Sequence, residues 1–200
     1  MITLYGTTRS RAFRCLWMLE ELGLPYRREL VPSGAEGSHK PEYLAVNPNG
    51  KIPALVDGGT TLFESLAINL YLAGKYNGLL PESAEDRGRA YQWSVWAMTE
   101  LEPPLFTALR HRVLWEEAKR DPQLAAQAEQ AAQKPLGILD AALRASPFLA
   151  GGAFSVADLN VSAVASWAKL GQIPLDAFPA LRAWLERNME RPAFLRARKA

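Results

Sequence analysis

Two patterns of apolar spacing divide the chain. Up to about residue 77, short runs rich in β-branched and aromatic residues alternate with runs of helical spacing, and beyond it the spacing is helical almost throughout. Strands place every second side chain on one face, whereas helices repeat about every 3.6 residues. The pattern therefore predicts an α/β domain at about 1–77 and an all-helical domain at about 86–200.

The α/β domain begins with the pattern of a βαβ unit. Ile2 to Tyr5 predicts a strand, Ser10 to Leu22 predicts a helix that Gly23 ends, and Tyr26 to Val31 predicts a second strand that Pro32 ends. The following segment is polar and interrupted by Gly and Pro, which is typical of a loop.

The rest of this domain predicts a short helical turn, two strands joined by a tight turn, and a helix. In order, these are Pro41 to Val46, Ala54 to Val56, Asp57-Gly58-Gly59, Thr61 to Phe63, and a helix capped by Ser65 that continues to Tyr76. In the second domain, helical spacing predicts helices near 86–115, 122–144, 155–170 and 177–188, with a short final turn after Pro192.

Composition excludes several classes of protein. Apolar residues make up 48% of the chain and the net charge is only +2, so the chain can bury a core and has no basic footprint for nucleic acid or an anionic membrane. A single Cys, Cys15, and two distant His, His39 and His111, offer no disulfide framework and no metal site. No apolar stretch is long enough to span a membrane, and we expect a cytoplasmic protein.

Three segments carry candidate chemistry. In the first, Pro53 stands just before a predicted strand, and an Ile52-Pro53 bond in the cis form would let Ile52 offer its N–H and C=O to an extended ligand backbone. An ordinary trans proline at the strand edge is the alternative.

The second segment is Glu64-Ser65, at the start of a predicted helix. Free backbone N–H groups and a hydroxyl there could bind a carboxylate while Glu64 pairs with an ammonium group, and a γ-glutamyl α-amino acid carries both charges. Alternatively, Ser65 only caps the helix and Glu64 only complements the helix dipole.

The third segment is the loop from Gly6 to Arg11, which places hydroxyls and arginines at a helix N-terminus. A donated hydrogen bond, the helix dipole and a guanidinium would lower the pKa of a bound thiol from its free value of about 8.5. The alternative is that Ser10 or Thr8 caps the helix and the arginines are solvated.

Taken together, these segments resemble the glutathione transferase family, in its bacterial serine/threonine-type, theta/beta-like form. The residues that carry the resemblance are Leu4-Tyr5-Gly6, Arg9-Ser10-Arg11, Arg14, Leu19 to Gly23, Asn47-Pro48, Gly50 to Pro53, Leu55, Glu64-Ser65 and, in the second domain, the capping segment Gly151 to Asp158. The resemblance implies a thioredoxin-like N-terminal domain, an all-α helical-bundle C-terminal domain and a homodimer.

The resemblance also implies roles for individual residues. Ser10 would stabilise the glutathione thiolate, with Thr7, Thr8 and Arg11 as competitors for that catalytic role. The implied contacts to glutathione are Lys51 and Lys40 with the glycine carboxylate, Ile52 and Pro53 with the cysteinyl backbone, and Glu64 and Ser65 with the γ-glutamyl end.

The implied reaction is conjugation of the glutathione thiolate to small hydrophobic electrophiles, a detoxification chemistry with glutathione as co-substrate and no metal. One alternative is a glutathione-dependent peroxidase or disulfide-exchange enzyme, and another is a non-catalytic interaction module on the same fold.

The first loop lacks the Cys of the thiol-reductase branches, and Cys15 is expected to be packed and inert. An aromatic set could line an electrophile pocket or simply fill the core: Tyr91, Trp93, Trp96, Phe106 and Trp115.

Overall fold

The computed structural model of the chain describes residues 1–200 and groups them into two compact units. The first unit is Met1–Leu80 together with Glu190–Ala200, and the second unit is Pro81–Met189. The domain limits at 1–77 and 86–200 stay a prediction. None of the helices combines the length and apolar character needed to cross a membrane.

A four-stranded sheet forms the centre of the first unit. Its strands are β1 (Ile2–Tyr5), β2 (Tyr26–Glu29), β3 (Ala54–Asp57) and β4 (Thr60–Phe63), in the spatial order β2-β1-β3-β4. Strand β2 is parallel to β1, whereas β3 is antiparallel to both β1 and β4. This confirms the thioredoxin-like arrangement.

The helices account for most of the remaining chain. They are α1 (Ala12–Glu21), α2 (Pro41–Leu44), α3 (Ser65–Lys75), α4 (Ala84–Trp96), α5 (Glu102–Leu109), α6 (Pro122–Ala145), α7 (Val156–Leu170), α8 (Pro179–Met189) and α9 (Pro192–Lys199). The order βαβ, α, ββα in the first unit and the all-helical second unit agree with the expected fold class.

The last helix differs from expectation. In place of a short final turn, α9 is a full helix that packs on α1 within the first unit, where the Phe194 ring meets the rings of Phe13 and Trp17 at 5.3 and 4.9 Å. Arg191 donates two hydrogen bonds to the Glu21 carboxylate, at 2.6 and 2.8 Å. Helix α1 is therefore packed against the C-terminal segment of the chain as well as against the sheet unit.

The helix predicted near 86–115 is continuous but irregular. Helices α4 and α5 are joined by a π-helical turn over Ala97–Leu101, and a second such turn follows over Arg110–Leu114. Pro103 and Pro104 have no N–H to donate to the preceding turn, so regular α-helical bonding cannot pass through them. The chain instead closes a wider ring, in which the Glu102 N–H bonds to the Ala97 carbonyl.

Helix α7 is the buried centre of the second unit, and the predicted capping segment fixes its start. Ser155 and Asp158 form a capping box, which confirms the sequence prediction. The Asp158 carboxylate accepts four hydrogen bonds, from the N–H groups of Leu149 and Ser155, the Ser155 hydroxyl and the Trp184 indole, at 2.9 to 3.2 Å.

Candidate functional site at one edge of the sheet

The register of the sheet brings the three candidate segments to one edge, by which we mean the side of the sheet where β1 and β4 end and β3 begins. Tyr5 pairs with Ala54, and Ala54 pairs in turn with Phe63. The loop after Tyr5, the residues before Ala54 and the residues after Phe63 therefore all leave the sheet at the same end. The segments are far apart in sequence, but they lie close together because β3 runs antiparallel to β1 and β4.

Ile52 lies at the centre of this edge with an unused backbone. The Ile52-Pro53 bond is cis, as predicted. No hydrogen bond within the chain uses the N–H or the C=O of Ile52. Gly6, in the first loop, lies close enough that an added Cβ would stand 3.4 Å from the Cβ of Ile52. A donor and an acceptor are thus open at a half-buried position beside the first loop.

Asn47 holds the turn that precedes Ile52. Its side-chain amide and the Tyr43 hydroxyl both donate to the Lys51 carbonyl, each at 2.6 Å. Its own carbonyl accepts from the N–H of Gly50 at 3.0 Å, and its side-chain oxygen accepts from the N–H of Asn49 at 3.1 Å. Asn47 is buried, so its side chain fixes the peptide that leads into Ile52.

A group of basic side chains flanks this turn. Lys40 and Lys51 are exposed, and neither forms an ion pair or a side-chain hydrogen bond within the chain. His39 was missed as a candidate, because an isolated His gives no signal in the sequence. Its ring packs on the backbone of Gly50, where an added Cβ would lie 2.7 Å from the His39 Cδ2. His39 therefore joins Lys51 as a candidate residue of this site.

The start of α3 differs by one residue from expectation. Glu64, not Ser65, occupies the N-cap position, with φ +69° and ψ +106°, and Ser65 is the first helical residue. A non-glycine residue in this region of backbone space is uncommon, and such residues cluster at functional sites. The N–H groups of Ser65, Leu66 and Ala67 lie in the first turn and have no partner within the helix. They form a potential anion site beside the unpaired Glu64 carboxylate.

The Ser65 side chain points inward. Its hydroxyl oxygen accepts a hydrogen bond from the buried Arg14 Nη1 at 3.3 Å, so it does not cap the helix as predicted. The neighbouring Cys15 thiol is fully buried and donates to the Ser65 carbonyl at 3.5 Å. Burial raises the pKa of this thiol although Arg14 acts in the opposite direction. Cys15 is therefore a packed thiol, not a nucleophile.

The first loop uses its hydroxyls unequally. The Ser10 hydroxyl donates to the Thr7 carbonyl at 2.7 Å and accepts from the Ala12 N–H at 3.1 Å, so it stabilises the start of α1. The hydroxyls of Thr7 and Thr8 have no hydrogen-bond partner within the chain, and both residues are half-buried. Arg11 is half-buried as well. The loop thus presents two unengaged hydroxyls and one, on Ser10, whose proton is already donated.

The aromatic set of the second unit separates into distinct contacts. Tyr91 is exposed, while Trp93 and Trp96 meet edge to face at 5.0 Å. The ring centroids of Phe106 and Trp167 are 5.2 Å apart, and those of Trp115 and His111 are 4.6 Å apart. His111 is buried, and its Nδ1 accepts a hydrogen bond from the N–H of Asp121 at 3.0 Å.

Comparisons with known proteins agree with these features. Residues 9–75 match the glutathione S-transferase N-terminal domain family, and residues 97–192 match the corresponding C-terminal domain family. Among curated proteins, the chain is 38% identical to glutathione S-transferase 3 of Zea mays, over 96% of this chain and 91% of the relative. It is 34% identical to the disulfide-bond oxidoreductase YfcG of Escherichia coli strain K12, over 96% of this chain and 92% of the relative.

Among solved structures, the chain is similar to the theta class glutathione S-transferase of Xanthomonas axonopodis pv. citri, determined with glutathione bound. The TM-score is 0.89 and the sequence identity is 34%, and the match covers 100% of this chain and 97% of the other.

Proposed function

The chain belongs to the glutathione S-transferase family, and we propose that it conjugates the glutathione thiolate to small hydrophobic electrophiles. The observation that carries the proposal is the sheet edge described above. It combines an unused backbone pair at Ile52, unpaired N–H groups in the first turn of α3, and free charges on Glu64 and Lys51. An extended zwitterionic tripeptide has the complementary groups in that order.

In this proposal glutathione lies along the edge as an added strand. Its cysteinyl backbone pairs with the N–H and C=O of Ile52, in the manner of a peptide that extends a sheet. Its γ-glutamyl carboxylate accepts from the first-turn N–H groups of α3, and its ammonium group pairs with Glu64. Its glycine carboxylate is attracted by Lys51, Lys40 and His39. Pro53, at the entrance to β3, packs beneath the peptide as part of the site.

The thiol of this ligand would lie beside the first loop. The thiolate attacks an electrophilic carbon, a C–S bond forms, the leaving group departs with its electron pair, and the thiol proton passes to solvent. Ionisation is favoured by the N-terminus of α1 and by a hydroxyl that donates to sulfur. Ser10 can serve only if its proton leaves the Thr7 carbonyl, whereas Thr7 and Thr8 can donate without losing a bond within the chain. Arg11 would add positive charge.

Three single variants test which hydroxyl acts. Ser10→Ala, Thr8→Val and Thr7→Val should each be assayed with an aryl halide across pH, because loss of the activating donor raises the apparent pKa of the pH–rate profile. A rise in Ser10→Ala alone assigns the role to Ser10, and a rise in a threonine variant alone moves it there. Unchanged profiles in all three would remove hydroxyl activation from the proposal. Retention on immobilised glutathione shows in parallel that each variant still binds.

A second candidate is glutathione-dependent disulfide exchange. It is favoured by the similarity to the relative named disulfide-bond oxidoreductase, which also matches nearly the full length of the chain. The first loop of this chain has no Cys, so any exchange would proceed through the glutathione thiolate itself. A panel of aryl halides, hydroperoxides and mixed disulfides separates the two reactions and the peroxidase alternative. Turnover of mixed disulfides without turnover of aryl halides would favour exchange.

We further propose a cytoplasmic homodimer that acts in detoxification. Both units expose large apolar side chains, Phe63 in the first and Tyr91 and Val95 in the second, and Val95 is 61% exposed. Exposed apolar side chains of this kind are typical of contact surfaces when they cluster. Light scattering should give twice the chain mass for the wild type and a lower mass for Val95→Glu. A monomeric wild type would contradict this part of the proposal.

A further inference from the structure

Arg110 combines a guanidinium that has no polar partner with contacts to two aromatic rings. The group lies over the Trp115 ring at 4.3 Å and over the Phe106 ring at 5.2 Å, and none of its N–H groups forms a hydrogen bond or an ion pair within the chain. Its Nε is completely buried and unsatisfied. The two terminal nitrogens are also without partners but remain accessible. A buried donor without a partner is rare in folded proteins and costs free energy.

The π-helical turn explains how the two rings enclose the guanidinium. The N–H of Trp115 bonds to the carbonyl of Arg110, five residues back, at 3.1 Å. In a regular α-helix that bond would come from Leu114. The wider turn therefore brings the Trp115 ring over Arg110, while Phe106 lies one regular turn before it. Wide turns of this kind are frequent at functional sites.

The close neighbours of the Arg110 guanidinium are aromatic, and no carboxylate forms an ion pair with it. The Phe106 ring packs on the Trp167 ring with their centroids 5.2 Å apart, which extends the aromatic surface. The nearest charged neighbour along the chain, Arg112, is occupied elsewhere: it pairs with Glu129 and donates to the carbonyls of Gly171 and Gln172. The planar guanidinium of Arg110 thus has unpaired N–H donors and lies between the rings of Phe106 and Trp115.

We propose that Arg110, framed by Phe106 and Trp115, binds the carboxylate of a planar aromatic acid. The fork of a guanidinium matches a carboxylate through two parallel hydrogen bonds, and the flanking rings supply faces on which an aromatic ring can pack. The proposal concerns binding by the second unit alone and does not depend on the proposed conjugation.

Binding is tested in the absence of glutathione. Calorimetric titration with a dinitrobenzoate and with its neutral carboxamide, which is nearly the same size, isolates the charge. The wild type should bind the acid about tenfold more tightly than the amide, the ratio that one charge-assisted hydrogen-bonded pair supports. Arg110→Met retains an apolar stem beneath the rings but removes the fork, and should bring this ratio close to one.

Arg187→Met is the matched control, because Arg187 also lies over an aromatic ring, that of Phe148 at 5.5 Å, but donates to the Pro147 carbonyl at 2.7 Å. It should leave the acid-to-amide ratio unchanged. Thermal unfolding of both variants shows that they fold. Equal binding of acid and amide by the wild type would overturn the proposal, as would an equal loss for both ligands in Arg110→Met, which is what a purely structural role predicts.

Discussion

Replacement of Asp158 by Ala should strongly destabilise the second unit. The Asp158 carboxylate is fully buried and accepts from four donors, three N–H groups and one hydroxyl, as described above. These donors come from the start of α7, from the Leu149 backbone and from Trp184 of α8. The carboxylate therefore joins three parts of the unit at one point.

The magnitude follows from the donors that lose their acceptor. A buried polar group left without a partner costs about 1–3 kcal/mol, so four of them set an upper range of about 4–12 kcal/mol. Rotation of the Ser155 hydroxyl and entry of water into the space would recover part of this. We expect a loss of about 4 kcal/mol in the free energy of unfolding, a large part of the 5–15 kcal/mol that is typical of a domain.

Urea unfolding followed by far-ultraviolet circular dichroism measures the loss. Asp176→Ala is the matched control, because the Asp176 side chain is 86% exposed and its ion pair with Arg182 lies in solvent. Such a change is expected within about 0.5 kcal/mol of the wild type. A loss below about 1 kcal/mol for Asp158→Ala would refute the reasoning that the four hydrogen bonds stabilise this unit.

Three further outcomes are expected. Burial acts to raise the pKa of Asp57, but hydrogen bonds from Lys75 and two tyrosines outweigh it and lower that pKa, so the carboxylate stabilises the fold above pH about 4 and loses this effect as the pH falls through its folded-state pKa. The difference in unfolding free energy between the wild type and Asp57→Asn should therefore shrink below pH 4, and a constant difference would contradict the assignment. Arg191→Ala removes both hydrogen bonds to Glu21 and should speed amide hydrogen exchange more in α1 and α9 than in the rest of the first unit. An equal change throughout the first unit would contradict a role of this contact in holding the two helices together. Asn47→Ala should raise KM for glutathione about tenfold and also lower the unfolding midpoint, because the buried side chain loses its hydrogen bonds to the turn. An unchanged KM in the folded variant would show that Asn47 does not position Ile52.

The sequence was most informative where local chemistry decides the backbone. The hairpin glycines, the Ser155 capping box and the position of Pro53 before a strand each have a local physical cause, and the structure agrees with each. The meeting of the three candidate segments required the strand order as well. Helical spacing and turn residues predicted the order of elements along the chain, βαβ, α, ββα, whereas the thioredoxin-like arrangement of the strands was implied by the family resemblance.

The remaining details depend on contacts that a sequence does not reveal. Ser65 has the residue type of a cap, but a positive φ at Glu64 moves the cap one position back, and Arg14 takes up the hydroxyl. The partner of the Ser10 hydroxyl is a backbone carbonyl, which depends on the path of the loop. Similarly, His39 becomes a candidate only because the chain folds it onto Gly50.

The most direct test of the proposed glutathione site is a crystal structure of this protein with glutathione. The cysteinyl backbone should form two hydrogen bonds with the N–H and C=O of Ile52, at about 2.9 Å. The γ-glutamyl carboxylate should lie against the first-turn N–H groups of α3, with its ammonium group at Glu64. Glutathione bound elsewhere, or bound at this edge without contact to the Ile52 backbone, would contradict the account.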